Sequence, residues 1–258
     1  MTKLNRLFRN RIGIAEEEII TFEELHTILE KTAKAIPFEN LCVVANKTAP
    51  ITKENLIDKI MKKSEGGLCY ELNTILYFFL EENGFDVFLI RGTVFNHTNQ
   101  SWGTIGETHV ANIVNHQGEA YLVDTGFGGN LPLTPVPLNG ETVTSSNGEF
   151  RVKKLDDRYV LEMKLKHKDE DWKTGYAFYS EKAVEDLNEL NEIQKIINEH
   201  EQSPFNKNPL VTRITNRGNI TLTNTSFTQW EDGKVHKEEI DEKRFREIIR
   251  EYFNINIG

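Results

Sequence analysis

The chain has 258 residues, of which 38% are hydrophobic and 28% charged, with a net charge of −9 and two cysteines. That length supports a buried core without disulfide or metal staples, and the acidic surplus argues against broad nucleic-acid or anionic-membrane binding. Cys42 and Cys69 lack a C-x-x-C or His cluster, and neither a signal-peptide core nor a membrane-spanning run is present, so the expectation is a cytoplasmic protein with free thiols and no metal.

The first third reads as helical. Thr21 and Glu24 fit a capping box ahead of an apolar stripe at Leu25, Ile28 and Leu29. Ile36-Pro37 breaks that helix, because the residue before a proline is driven out of the α region. Thr52 can cap a short helix carrying Leu56, Ile57 and Ile60. Next comes Glu65-Gly66-Gly67-Leu68-Cys69-Tyr70-Glu71-Leu72-Asn73, with Leu72, Ile75, Leu76, Phe79 and Leu80 at helical spacing and Gly84 as a stop. Two glycines are poor helix interior, so the helix should start near Cys69. A thiol in a first turn meets unpaired N–H groups and the positive end of the helix dipole, which favour a reactive anion. The competing reading is a buried, inert cysteine, and that is the expectation for Cys42 within Leu41-Cys42-Val43-Val44.

From Phe85 onward the period changes. Residues 87–95, 109–115, 119–125, 149–155, 158–165 and 172–179 read as short strands, closely joined and therefore antiparallel, as in a small barrel or sandwich. A helix over 181–199 presents Val184, Leu187, Leu190, Ile193 and Ile197 on one face. Ser203-Pro204-Phe205-Asn206 reads as a linker, followed by strands over 210–215, 220–224 and 226–230. A last helix from Asp241 turns Phe245, Ile248 and Ile249 inward. The expected fold class is α+β: an N-terminal helical bundle (1–84), a central antiparallel β-barrel with its trailing helix (85–199) and a C-terminal α/β lid (200–258).

A nucleophilic cysteine needs a histidine base, and the base an orienting acceptor. His26, His116, His167, His200 and His236 lie among charged or turn residues and His97 in a polar loop, so each reads as solvated. His109 differs, because it begins the strand His109-Val110-Ala111-Asn112-Ile113-Val114. A four-residue hairpin loop over 115–118 would place Asp124 opposite His109; a two-residue loop would place it opposite Ala111, still on the same face. A three-residue loop would send it to the wrong face. Glu107 shares the His109 face and is the rival acceptor, but its place at the strand's start suggests more solvent. Cys69, His109 and Asp124 thus form a triad-like set, in which the Cys69 N–H is a natural oxyanion donor and a second could come from around Gly106. Acyl transfer, cysteine peptidase or amidase chemistry, and non-catalytic binding of coenzyme A or an aromatic ligand all fit such a set.

Pro37-Phe38-Glu39-Asn40-Leu41, Gly66-Gly67-Leu68-Cys69-Tyr70-Glu71-Leu72-Asn73, Thr108-His109-Val110 and Val123-Asp124-Thr125-Gly126-Phe127-Gly128 together resemble the arylamine N-acetyltransferases, in order and spacing over essentially the full chain. The resemblance implies the same three-part fold, with Cys69 as acyl-thioester nucleophile, His109 as base and Asp124 as third member. It implies acetyl-coenzyme A as donor, with arylamines or hydrazines as acceptors. It further implies that Gly126, Phe127, Gly128 and Gly129 lie near the coenzyme pyrophosphate, where glycine-rich backbone can form an anion-binding concavity. Phe38, Val94 and Phe127 are implied to line the acceptor pocket. One position departs: Glu65 stands where the family usually carries an arginine, in an ionic network with the residues matching Glu39 and Arg9. Either Arg9 bridges both acids or the network is rebuilt. Lys207, Arg213 and Arg217 are candidate partners for the coenzyme phosphates.

Overall fold

The computed structural model describes residues 1–166 and 168–256, so His167 lies outside the described residues. Among the described residues the α-helices are α1 (Lys3–Ile12), α2 (Leu25–Ala35), α3 (Leu41–Val44), α4 (Lys53–Leu56), α5 (Cys69–Glu82), α6 (Leu187–Glu199) and α7 (Glu242–Phe253). The strands are β1 (Phe38–Glu39), β2 (Asp86–Asn96), β3 (Ser101–Trp102), β4 (His109–His116), β5 (Glu119–Val123), β6 (Val136–Pro137), β7 (Val143–Ser145), β8 (Gly148–Leu155), β9 (Arg158–Leu165), β10 (Lys173–Ala183), β11 (Leu210–Ile214), β12 (Gly218–Thr223), β13 (Ser226–Glu231) and β14 (Lys234–Glu239). The fold is α+β: helices, a nearly closed antiparallel sheet ordered β6-β5-β4-β2-β10-β9-β8-β7 with β3 on β2, and a smaller sheet ordered β1-β11-β12-β13-β14.

Helix α5 is the hub. Leu72, Ile75, Leu76, Phe79 and Leu80 are all buried, and so are Tyr70, Asn73, Thr74 and Phe78 on its other faces. Such all-round burial marks a central helix rather than a surface one. Side chains from α1, α2 and α6 surround it, together with Leu89, Val110, Val114 and Val123 of the sheet. Burying the five apolar residues of the stripe contributes on the order of 10 kcal/mol before entropy is charged against it. The opposite parity of β4, Ala111 and Ile113, joins Leu122, Phe150 and Tyr176 inside the barrel. Each strand of this hairpin therefore serves two cores by simple alternation.

The hairpin between β4 and β5 turns on two residues, since His116 pairs with Glu119. Gln117 and Gly118 both adopt positive φ (51° and 84°), as a primed turn requires. Asn112 faces Val123, so the next step sets Asp124 level with Ala111, on the barrel-facing side that His109 shares.

Several sequence expectations are corrected. Thr21 does not cap: residues 21–24 form a turn through the Glu24 N–H to Thr21 carbonyl bond (3.2 Å), and α2 starts at Leu25. The helix expected from 181 starts at Leu187, because β10 runs on to Ala183 and Asp186 supplies the N-cap. Strand β1 was hidden in a proline-flanked segment, yet Phe38 and Glu39 pair with Thr212 and Val211 of the C-terminal sheet. Asn40 fixes the 203–206 connection there, donating to the carbonyls of Phe205 (2.8 Å) and Asn208 (2.9 Å) and accepting from Leu210 (2.7 Å).

Arg9 does not bridge Glu39 and Glu65. Its guanidinium is spent on Asn5, Asn83 and the carbonyls of Ala15 and Glu18. The network is rebuilt around Lys59, which contacts Glu71 at 2.6 Å and Glu39 at 3.5 Å, while Glu65 approaches Cys42 at 3.9 Å. Burial pushes the Glu39 carboxyl up, and Lys59 opposes that shift. Lys59→Met would leave two buried carboxylates without their cation, at a cost of about 3–5 kcal/mol. Urea unfolding should show that loss, and Lys59→Arg should retain most of the stability; an unchanged midpoint in Lys59→Met would contradict the assignment.

Candidate active site

The residue before α5, Leu68, is extended (φ −89°, ψ 175°), and helical geometry begins at Cys69. The Glu71 carboxylate reaches back to accept the Leu68 N–H at 3.0 Å, giving half of a capping box, since leucine offers no acceptor in return. At this first helical position the Cys69 N–H has no intrahelical acceptor. The glycines are sterically required here. A side chain at Gly66 would overlap the Pro37 carbonyl, and one at Gly126 would lie 2.5 Å from the Cys69 Cα. Cys69 is 8% exposed, at the wall of a cleft of about 650 Å³, and its thiol donates to the Thr108 carbonyl at 3.6 Å.

Cys69 also acts on the His109 ring, helping to raise its pKa, and both line the same cleft. His109 Nε2 meets Asp124 Oδ2 at 2.8 Å, which leaves Nδ1 as the nitrogen available to sulfur. Asp124 is saturated. Tyr176 donates its hydroxyl to Oδ2 at 2.8 Å, while Asn73 Nδ2 (2.8 Å) and the Gly126 N–H (2.7 Å) donate to Oδ1. The ring is flanked by Tyr176 and Phe127, with centroids 4.2 and 5.2 Å away. Burial disfavours the charged imidazole, but the Asp124 carboxylate outweighs it and pushes the His109 pKa up to about 10. Burial likewise works against the Asp124 carboxylate, and His109, Asn73 and Gly126 more than offset it, holding the acid below its ordinary value.

Among the expected site residues, Phe38, Val94, Phe127, Gly106, Gly128 and Gly129 all line the cleft. Gly126 lines it too, but its N–H is committed to Asp124 and cannot join an anion-binding concavity. Glu107, the rival acceptor, pairs instead with Lys182 at 3.0 Å. His97, expected to be merely solvated, lines the cleft and bonds the Thr174 carbonyl at 2.7 Å. Of the phosphate-partner candidates, Arg213 lies over Phe253, Arg217 lines an adjoining groove where Asp232 holds it at 2.7 Å, and Lys207 is not on the cleft wall. The charged residue that does line it is Lys168. Sequence reasoning also assigned no part to Asn73 and Tyr176. Asn73 was findable, since it lies one helical turn after Cys69 on the same face. Among the described residues, no group of three or more His, Cys, Asp or Glu side chains could hold a metal ion, and no helix is long and apolar enough to cross a membrane. Cys42 is half-buried and free, its thiol pushed up to about 11 chiefly by burial, which Lys59 opposes and the carboxylates of Glu39, Glu65 and Glu71 reinforce.

The His109–Asp124 pair ties stability to pH. The raised His109 pKa contributes stability that is complete below the ordinary histidine value and is lost as pH rises through about 10. The lowered Asp124 value contributes above the ordinary carboxylate range and is lost as acid protonates it. Wild type should therefore exceed Asp124→Asn most in urea midpoint near about pH 5.5, with the gap narrowing towards about pH 9.5. A gap that widens with pH would contradict a charged pair.

With this geometry in view, the chain can be set beside known proteins. A family model described as N-acetyltransferase matches residues 21–258. An uncharacterised acetyltransferase of Bacillus subtilis is 41% identical over 239 residues, spanning 92% of this chain and 93% of the relative. The crystal structure of an arylamine N-acetyltransferase from Bacillus cereus, described as having a unique Cys-His-Glu catalytic triad, matches with a TM-score of 0.93 and 40% identity over 100% of both chains. Arylamine N-acetyltransferase C from Bacillus anthracis matches with a TM-score of 0.93 and 39% identity, over 99% of this chain and 100% of that one. By the matched span, the shared fold and these relatives, the chain belongs to the arylamine N-acetyltransferase family.

Proposed function

We propose that this protein transfers an acetyl group from acetyl-coenzyme A to an arylamine or arylhydrazine nitrogen, in two half-reactions through a thioester on Cys69. The observation that carries the reading is the buried His109–Asp124 hydrogen bond, with Cys69 coupled to the same imidazole, at the wall of one cleft. In the resting site the proton of Cys69 is already on His109 Nδ1, and Asp124 offsets the charge of this imidazolium. In the first half-reaction the sulfur forms a bond to the acetyl carbon, and the coenzyme sulfur departs with the proton that His109 returns. In the second, His109 accepts a proton from the attacking amine, the carbon–nitrogen bond forms, and the carbon–sulfur bond breaks to restore the thiolate–imidazolium pair. The Cys69 N–H, without an intrahelical acceptor, is the oxyanion donor in both steps, with the backbone near Gly106 as the second.

The residues present fit such a donor and acceptor. Phe38, Val94 and Phe127 offer apolar surface for an aromatic amine. Gly128 and Gly129 bring bare backbone to the same wall for the coenzyme arm, without a side chain to block it. Free thiols at Cys42 and Cys69 suit a reducing compartment such as the cytoplasm.

Intact-mass spectrometry after incubation with acetyl-coenzyme A should show a single acetyl adduct on Cys69, discharged far faster by an arylamine than by water. No adduct on folded protein, or discharge by water as fast as by amine, would favour a hydrolase or a binding protein instead. Cys69→Ala should fold and abolish turnover; activity within about tenfold of wild type would refute the nucleophile. Asp124→Asn should cost orders of magnitude in rate and Glu107→Gln little. The reverse order would hand the acceptor role to Glu107.

A further inference from the structure

Among the described residues, the cleft beside Cys69 has one formally charged side chain on its wall other than histidine, Lys168. Lys168, Asn219 and Trp230 belong at once to this cleft and to a shallow groove of about 120 Å³ that continues from it. That groove carries Lys166, Lys168 and Arg217 against a single acid, Asp232, in a chain whose net charge is −9. Asp232 is already taken by Arg217 at 2.7 Å, so the two lysines are the cations left for a ligand. Asn219 also approaches Gly129, its side chain about one van der Waals contact from where a Cβ would stand. The wall therefore runs from the glycine turn to Asn219, then to Trp230 and the lysines.

We propose that this groove holds the 3′-phosphorylated adenosine of the acyl donor, with Lys166 and Lys168 on the 3′-phosphate and the half-buried Trp230 indole against the purine. The assignment rests on the acetyl-coenzyme A reading above. A phosphomonoester carries close to two negative charges, and paired lysine ammoniums meet it as point charges. An indole face suits a purine, because base–aromatic stacking is tolerant of orientation and needs no hydrogen bond. The remainder of the cleft, whose described lining holds no other lysine, arginine or carboxylate, is then left to the pantetheine arm and the amine.

Calorimetric titration of the full chain with coenzyme A and with 3′-dephospho-coenzyme A tests this. Wild type should bind coenzyme A about tenfold or more tightly than the dephospho form, as expected for charged hydrogen bonds. The double variant Lys166→Ala/Lys168→Ala should bring the two ligands within about twofold of each other, a ratio that general damage to the protein would not change. Trp230→Ala should weaken both ligands alike and leave the ratio intact. No discrimination in wild type, or undiminished discrimination in the double variant, would overturn the groove assignment, while acetylation of Cys69 by acetyl-coenzyme A left the functional reading standing. Failure of coenzyme A to bind, with no acetylation, would remove both.

Discussion

A carboxylate with no exposed surface is the constraint on which this site is built. Sealing Asp124 in the protein would cost several kcal/mol if it were unpartnered, and four donors converge on it to offset that cost. Each donor comes from a different part of the chain: helix α5, strand β4, strand β10 and the loop after β5. The acid can therefore exist only when the helical region and the barrel are docked. In that docked state it fixes the imidazole, and the imidazole faces the sulfur. Tyr176 and His109 share one oxygen, so the ring is held by geometry as well as by charge.

The nucleophile's end has a matching device. Glu71 holds the Leu68 N–H, Lys59 neutralises Glu71 and Glu39, and Glu39 accepts the Leu41 N–H at 2.6 Å. The Glu39 N–H bonds the Gly67 carbonyl at 2.9 Å, while β1 pairs with β11. A single short segment thus connects the turn before Cys69 to the C-terminal sheet that forms the far wall of the cleft. The lysine reaches both acids from the helical turn Ile57–Lys62 rather than from the loop at Glu65 itself. The comparison with the Bacillus cereus enzyme is informative in the same way. That protein is described as using a glutamate in its triad. Here the carboxylate at the ring is an aspartate, one methylene shorter, and Asn73 and Tyr176 close around it.

Much of this was legible in the chain, for identifiable reasons. Gly66 and Gly67 exclude a helix and Leu72 to Leu80 demand one, so the position of Cys69 follows from local rules. The face shared by His109 and Asp124 follows from parity, because any even hairpin loop puts them together; the two-residue turn at Gln117-Gly118 is one of the lengths that do. What escaped was decided by distant partners. Thr21 has good capping chemistry, but the following turn competes for the same backbone. Phe38 and Glu39 are a strand only because Val211 and Thr212 arrive beside them. Arg9 and Lys59 are both plausible partners for Glu39 in one dimension, and only packing shows that Asn83 and two carbonyls hold the arginine. Lys168 follows a strand in an unremarkable polar loop, where nothing local distinguishes it from Lys207 or Arg217.

The account turns on whether Asp124 keeps His109 protonated inside the protein. Heteronuclear NMR of the imidazole nitrogens in wild type and Asp124→Asn reads this directly. The structure requires a doubly protonated His109 ring that persists well above about pH 8 in wild type, and a ring that is neutral near neutrality once the carboxylate is gone. A His109 that titrates near the ordinary histidine value in both proteins would contradict it.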